Sequence, residues 1–138
     1  MKDHAALVIK HQDNNTFLFI KRSKYKKTLP NIWAFPSGTQ NQGEDIYETA
    51  KREAYEELGI QIKIEETLLI KELPELGVKL HFLLCLISSG DLIIRDYTEI
   101  EELEWLTFTQ FFQKYKDSEI GHGLIFLRQN QHLLKKYY

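Results

Sequence analysis

The part of the chain that most constrains its fold covers residues 38–60 and reads GTQNQGEDIYETAKREAYEELGI. Asp45 can cap a helix, Glu48 follows three residues later to complete a capping box, and Gly59 can end the helix in the left-handed conformation. The sequence therefore predicts a helix over residues 46–58.

One side of this predicted helix is apolar, and the border of that side is acidic. Apolar residues recur at four-residue steps, in Ile46, Ala50, Ala54 and Leu58. Glu53, Glu56 and Glu57 fall beside this stripe, with Glu57 nearest to the core. Like charges at this spacing repel by roughly 0.2–0.5 kcal/mol in an exposed helix, and Mg²⁺ prefers carboxylate oxygens as ligands. Each glutamate alone fits an ordinary solvated acidic face, whereas the three together favour a site for a divalent cation.

The same stretch fits the pattern G-x5-E-x7-R-E-U-x-E-E-x-G-U, in which U is apolar. The pattern is filled by Gly38, Glu44, Arg52, Glu53, Ala54, Glu56, Glu57, Gly59 and Ile60. It resembles the signature of the Nudix hydrolase family, the MutT-like nucleoside diphosphate-X pyrophosphohydrolases. The resemblance implies an α/β fold, a Nudix-type α/β/α sandwich with a mixed central sheet, formed by residues 1–138 as a single domain. It also implies hydrolysis of a pyrophosphate linkage.

The resemblance assigns roles to residues of the signature. It implies that Glu53, Glu56 and Glu57 bind Mg²⁺ or Mn²⁺ and that the backbone carbonyl of Ser37 helps. Either Glu53 or Glu56 is the expected general base, which leaves that role open between them. Ser37 stands where relatives carry the first glycine of a Gly-Gly turn, so a positive φ there would strain the serine.

The remaining roles in this stretch concern its loop and its arginine. Gly38 and Gly43 are expected to let the loop pass close to the metal and the substrate. Glu44 is expected to brace the loop at the N-terminus of the helix, and Arg52 to orient Glu53.

Candidate site residues also occur outside the signature. Arg22 follows a predicted strand at the start of a basic loop and is the expected contact for substrate phosphates. Glu99 is the expected additional metal ligand or base, with Glu101 and Glu102 as alternatives, because relatives carry a glutamate in the loop before the last core strand. His122 is a candidate for contacting the base of the substrate.

The rest of the chain shows strand and helix patterns. Residues 5–10 and 16–21 are rich in β-branched and apolar residues around a polar turn and predict a hairpin. Other strands are predicted over residues 60–64, 67–70, 78–88 and 92–95, with a break at residues 65–66. Two further helices are predicted, one capped by Thr107 and running to about residue 116, and one over about residues 124–136.

Composition limits the possible partners and compartments. With 18 basic and 20 acidic residues the net charge is −2, so no general basic field favours a stable nucleic-acid partner. The single cysteine, Cys85, lies in an apolar run, which excludes an internal disulfide and favours a reducing, cytoplasmic setting. No segment reaches the ~18 apolar residues that a membrane span needs. We expect a monomer or homodimer that acts on a small nucleotide.

Substrate choice is the least constrained inference. The short chain favours a nucleoside triphosphate pyrophosphohydrolase, including one that removes damaged or surplus nucleotides. The alternatives within the family are dinucleoside polyphosphates, nucleotide sugars or ADP-ribose, and RNA 5′ ends. A non-catalytic nucleotide-binding sensor is the alternative from another class, and such a sensor is expected to have lost a glutamate that this chain retains.

Overall fold

The computed structural model describes residues 1–138 as seven strands, three α-helices and three short 3₁₀ helices. The strands are β1 (Lys2–Ile9), β2 (Phe17–Arg22), β3 (Trp33–Ala34), β4 (Ser37–Thr39), β5 (Gln61–Leu73), β6 (Val78–Ser89) and β7 (Ile100–Leu106). The α-helices are α1 (Ile46–Leu58), α2 (Phe108–Lys114) and α3 (His122–Gln129). Short 3₁₀ helices cover Pro74–Leu76, Asp117–Glu119 and Gln131–Tyr137.

The strands form two sheets. The first has the order β4-β1-β6-β5 and is mixed, because β1 and β6 are parallel while the other pairs are antiparallel. The second sheet, β3-β2-β7, is antiparallel throughout. The expected α/β class with a mixed sheet between helices is therefore confirmed, with an additional small sheet that the sequence did not indicate.

The predicted hairpin is wrong. β1 and β2 belong to different sheets, and only an isolated bridge between Lys10 and Phe17 joins the ends of these segments. The polar turn does reverse the chain, but β4 and β6 already occupy the two edges of β1. β2 therefore pairs with β3 and β7.

Helices pack on both faces of β1, which explains its continuous apolar sequence. Ala5, Leu7 and Ile9 belong to the core cluster that includes the buried residues of α1. The alternate residues Ala6 and Val8 belong to a second cluster with α2 and α3. This alternation places β1 at the centre of an α/β/α sandwich.

Helix α1 has the predicted boundaries. Asp45 accepts a hydrogen bond from the backbone N–H of Glu48, the Glu48 side chain accepts one from the backbone N–H of Asp45, and Gly59 ends the helix at φ 69°. Ala50, Ala54 and Leu58 are buried. The apolar stripe therefore anchors the helix, and its acidic border faces outward.

Two strand predictions need correction. β5 continues through the predicted break at residues 65–66, where register shifts in the pairing with β6 indicate bulges. Residues 92–95 form no strand. Instead, the N–H groups of Ile93 and Arg95 donate to the carbonyls of Leu58 and Glu57. This segment therefore satisfies carbonyls at the C-terminal end of α1, where helical partners are lacking.

The last predicted helix also differs from the structure. α3 begins at His122 and ends at Gln129, and a 3₁₀ helix follows from Gln131 to Tyr137. Gly121 is the N-cap residue, so the helix begins two residues before the predicted start at residue 124. None of the helices has the length and apolar character that crossing a membrane requires.

Candidate functional site

A polar cleft of about 530 Å³ lies between α1, β4, the loop after β2 and the loop before β7. The expected site residues that line it are Arg22, Ser37, Gly38, Glu53, Glu56, Glu57 and Glu99. The expected residues that do not line it are Gly43, Glu44, Arg52 and His122. Residues from both sheets and from α1 thus meet at one place.

Gly38 is required by the close approach of Glu53. A Cβ atom built on Gly38 would overlap the carboxyl group of Glu53. The side chain of Glu53 is 13% exposed, so it has little room to move away. The first glycine of the signature therefore lets strand β4 pass directly against a carboxylate of the helix.

Arg52 connects three carboxylates and the loop. Its Nη1 donates to Glu53 Oε1 at 2.8 Å and to Glu56 Oε2 at 3.3 Å. Its Nε and Nη2 donate to the two carboxylate oxygens of Glu44 at 3.1 and 2.8 Å. A further bond reaches the carbonyl of Thr39 at 3.0 Å. Arg52 is therefore the residue through which Glu53, Glu56 and Glu44 are linked.

Glu44 joins the loop to the start of α1. Besides the two bonds from Arg52, it accepts hydrogen bonds from the backbone N–H of Asn41 at 2.9 Å and from the hydroxyl of Thr49 at 2.8 Å. The hydrogen bond from Arg52 and these donors lower the pKa of Glu44 to about 2. Glu44 therefore contacts the loop through Asn41 and the helix through Thr49 and Arg52.

Glu57 is the most deeply placed carboxylate of the cleft. Burial raises its pKa well above the ordinary range, and the nearby charge of Glu53 and a hydrogen bond between the two side chains raise it further. A divalent cation bound between Glu53 and Glu57 would reduce the repulsion between their carboxylates.

The structure does not bring three or more His, Cys, Asp or Glu side chains together at the spacing of a ready metal site. Arg52 engages Glu53 and Glu56, and the side chain of Lys26 forms an ion pair with Glu99. The donor set still fits Mg²⁺ or Mn²⁺ chemically, because five carboxylates line one cleft, those of Glu53, Glu56, Glu57, Asp96 and Glu99. Arg52 contacts Glu53 through Oε1 and Glu56 through Oε2, which leaves the second oxygen of each carboxylate for a cation. Glu99 would have to leave Lys26 to join them.

The structure distinguishes among the three candidate acids before the last core strand. Glu99 precedes β7 and lines the cleft, where its side chain pairs with Lys26. Glu101 and Glu102 lie within β7, and both carboxylates are 3.5 Å from Nζ of Lys21. Glu99 is therefore the candidate that shares a cleft with the glutamates of α1.

Arg22 lines the cleft but is largely engaged by its own loop. Its Nε donates to the carbonyl of Leu29 at 3.1 Å, and its Nη2 donates to the carbonyl of Thr28 at 2.8 Å. Burial lowers the pKa of Arg22, although Glu99 and Glu57 oppose this effect. Lys26 is thus the second cation of the cleft, and it comes from the same basic loop.

Ser37, Gly43 and His122 differ in how they relate to the cleft. Ser37 lines the cleft, and its φ is not positive, so the backbone strain that a positive φ would cause in a serine is absent. Gly43 lies outside it and has φ 87°, which shapes the loop turn. His122 is the first residue of α3 and lines a different cavity.

That second cavity is apolar and adjoins the cleft. It has a volume of about 580 Å³, and 11 of its 18 lining residues are hydrophobic. His4, Arg22, Thr28 and Ser37 line both cavities. Burial lowers the pKa of His4, and its Nε2 lies 3.3 Å from the hydroxyl of Thr39. The two cavities are thus neighbours that share four lining residues, one cavity acidic and the other apolar.

Sequence reasoning missed His4 and did not single out Lys26. Lys26 was part of a basic loop, and nothing local distinguishes it from Lys24 or Lys27. His4 carried one signal, since it precedes a run of buried residues in β1 and so marks the point where the strand emerges from the core.

Comparison with known proteins identifies the class to which this fold and site belong. Residues 1–127 match the protein family described as the NUDIX domain. The chain therefore belongs to the Nudix family.

Individual relatives differ in their named substrates. The chain is 28% identical over 112 residues to Nudix hydrolase 2 of Arabidopsis thaliana, covering 79% of this chain and 40% of the relative. It is 27% identical over 121 residues to peroxisomal coenzyme A diphosphatase ndx-8 of Caenorhabditis elegans, covering 81% and 51%. It is 44% identical over 69 residues to 8-oxo-dGTP diphosphatase of Buchnera aphidicola, covering 49% and 53%. The chain thus spans about half or less of the length of these relatives.

Solved structures share the fold. A NUDIX hydrolase from Nitrosomonas europaea superposes with a TM-score of 0.74 at 19% identity, covering 95% of this chain and 88% of the other. An Ap4A hydrolase from C. elegans superposes with a TM-score of 0.68 at 21% identity, covering 99% of both chains. These similarities agree with the α/β/α arrangement described above.

Proposed function

We propose that this chain hydrolyses a pyrophosphate linkage in a nucleoside diphosphate joined to a group X, and that its substrate is a nucleoside triphosphate. The single observation that supports this most is the convergence of Glu53, Glu56, Glu57 and Glu99 on one cleft. Nothing in the core packing requires four carboxylates there, and their mutual repulsion is costly. Residues 1–138 act in this proposal as one Nudix domain.

The proposed cofactor is Mg²⁺, with Mn²⁺ as the alternative. Glu53, Glu56, Glu57 and Glu99 would hold it, together with the backbone carbonyl of Ser37. When bound, such an ion would neutralise charge on the phosphate oxygens and make an attacking water more acidic.

In the proposed reaction, water adds to phosphorus and the bridging P–O bond breaks, with its electron pair leaving on the pyrophosphate. Glu53 or Glu56 accepts the proton of the water. Arg52 keeps Glu53 in position through the 2.8 Å bond between them. The ammonium group of Lys26 leaves Glu99 and pairs with the substrate phosphates. Arg22 maintains the conformation of the loop to which Lys26 belongs.

The nucleoside triphosphate is favoured by the shape of the site. A single apolar pocket of about 580 Å³ adjoins the acidic cleft, which suits one base and one polyphosphate chain. Dinucleoside polyphosphates carry a second base, for which the cleft offers only two hydrophobic lining residues. An RNA 5′ end would gain from a basic surface, and the net charge is −2.

The test is Mg²⁺-dependent release of pyrophosphate or phosphate from a panel of nucleoside triphosphates. Glu56→Gln is expected to lower kcat by at least about a hundredfold, since it removes a charged group from the cleft. Glu72→Gln is the matched control, because Glu72 is an exposed residue of β5 outside the cleft. A wild-type chain that binds nucleotides and hydrolyses none would instead support the non-catalytic sensor.

A further inference from the structure

The apolar pocket next to the cleft has an unusual composition for a site that would recognise one nucleobase. Fourteen of its lining residues are not shared with the cleft, and His122 is the only one of them with a polar side chain. No carboxylate or carboxamide side chain lines the pocket. Asp, Asn and Gln side chains supply the paired donors and acceptors that commonly read the edge of a base, and none of them lines this pocket.

Position relates this pocket to the phosphates of the substrate. Its polar lining residues other than His122 are His4, Arg22, Thr28 and Ser37, and these lie at the shared boundary with the cleft. A ligand whose phosphates occupy the cleft therefore extends its remaining part away from these residues and toward apolar walls.

Two leucines at the rim show that the pocket is built to receive an apolar group. Leu29 is 43% exposed and Leu76 is 46% exposed, so each contributes apolar surface that is only half covered by the protein. Leu29 has φ 47°, a conformation in which glycine or asparagine is favoured over leucine. A strained backbone of this kind is typical of residues at ligand sites.

We infer that this pocket holds the nucleobase of the substrate by packing alone, so that the enzyme distinguishes only weakly between different bases. The inference rests on the proposed function and specifies its substrate class as nucleoside triphosphates in general. An apolar pocket separates similar ligands by roughly 10- to 200-fold, whereas a site that hydrogen-bonds its ligand rejects the wrong one by 10⁴-fold or more. An enzyme that selects nucleotides with one particular damaged base requires a site that hydrogen-bonds that base.

The first test compares substrates. Values of kcat/KM for ATP, GTP, CTP and UTP are expected to differ by less than about two hundredfold, the range that an apolar pocket allows. A preference for one base larger than this would overturn the inference.

The second test measures binding without turnover, by titration calorimetry with nucleoside monophosphates, which contain no anhydride to hydrolyse. AMP is expected to bind at least about tenfold more tightly than ribose 5-phosphate, which lacks the base. The double variant Leu29→Asn, Leu76→Ser is expected to lose that advantage, and Ile70→Ser is the control, because Ile70 is 49% exposed and does not line the pocket.

Stability distinguishes a ligand contact from a structural role for Leu29. Asparagine tolerates the positive φ better than leucine, so Leu29→Asn alone is expected to keep or raise the melting temperature while it weakens AMP binding. Equal AMP binding by the double variant and the wild type would overturn the inference. If no triphosphate is hydrolysed while AMP binding still depends on the two leucines, the pocket assignment stands and the proposed reaction fails.

Discussion

Lys26 and Glu99 are 73 residues apart in the chain, and their side chains form an ion pair at the edge of the cleft. The pair places a cation beside the glutamates of α1, on a loop whose shape Arg22 maintains through the carbonyls of Thr28 and Leu29. In the proposed reaction, the carboxylate would turn to the metal and the ammonium group to the phosphates.

Replacement of Lys26 tests this arrangement. Lys26→Gln is expected to raise KM for a nucleoside triphosphate and to lower kcat/KM by about tenfold to a hundredfold, since charge-assisted hydrogen bonds contribute about 1.5–3 kcal/mol. Steady-state kinetics would measure the change. Lys24→Gln is the control, because Lys24 belongs to the same loop and does not line the cleft. Equal effects of the two substitutions would show that the loop acts only through its overall charge.

Glycine is needed at positions 38 and 77 for different reasons, so alanine substitutions at the two positions should have different effects. Gly38→Ala is expected to abolish activity, because the added Cβ overlaps the carboxyl group of Glu53. Gly77→Ala is expected to cost about 1–2 kcal/mol of unfolding free energy through its φ of 65° and to leave activity intact. Denaturant unfolding and kinetics on both variants would test this. An active Gly38→Ala variant would contradict the assigned contact.

Metal binding should stabilise the folded chain. Saturating Mg²⁺ or Mn²⁺ is expected to raise the melting temperature, because the ion binds the native arrangement of carboxylates and not the unfolded chain. Glu57→Gln is expected to reduce this gain, while Glu72→Gln leaves it unchanged. A melting curve that neither ion shifts would count against the site.

Stability without divalent ions should depend on pH through Glu57. The folded-state pKa of Glu57 lies above its unfolded value, so folding favours the protonated carboxyl group. Its contribution is therefore fully present below the ordinary pKa of glutamate and is lost as pH rises through the raised folded-state pKa. Melting curves in a chelator are expected to show this loss, and Glu57→Gln is expected to flatten it. If the melting temperatures of the wild type and of Glu57→Gln changed with pH at the same slope, the assignment of this pH dependence to Glu57 would be refuted.

The local features of the fold were predictable from the sequence, because the residues that determine them are close together in the chain. The capping box of Asp45 and Glu48 and the left-handed Gly59 set the ends of α1 within one segment. Glu53, Glu56 and Glu57 share a helix, so their grouping followed from helical geometry. Glu99 came from the family resemblance, and the structure places it in the same cleft.

The features that were not predictable depend on contacts between distant segments. Pairing preferences within residues 5–21 favour a hairpin, and only the competing strands β4 and β6 exclude it. Residues 92–95 have the composition of a strand, yet their N–H groups bind carbonyls of α1. The ion pair of Lys26 with Glu99 likewise depends on the tertiary fold and leaves no trace in either local sequence.

The division of the strands into two sheets has a mechanical consequence. The backbone pairing between the segments of β1 and β2 is limited to the bridge between Lys10 and Phe17, and the two cavities lie at the opposite ends of these strands. His4 of the first sheet and Arg22 of the second line both cavities. A nucleotide bound there would therefore contact both sheets, and its binding free energy would oppose their separation.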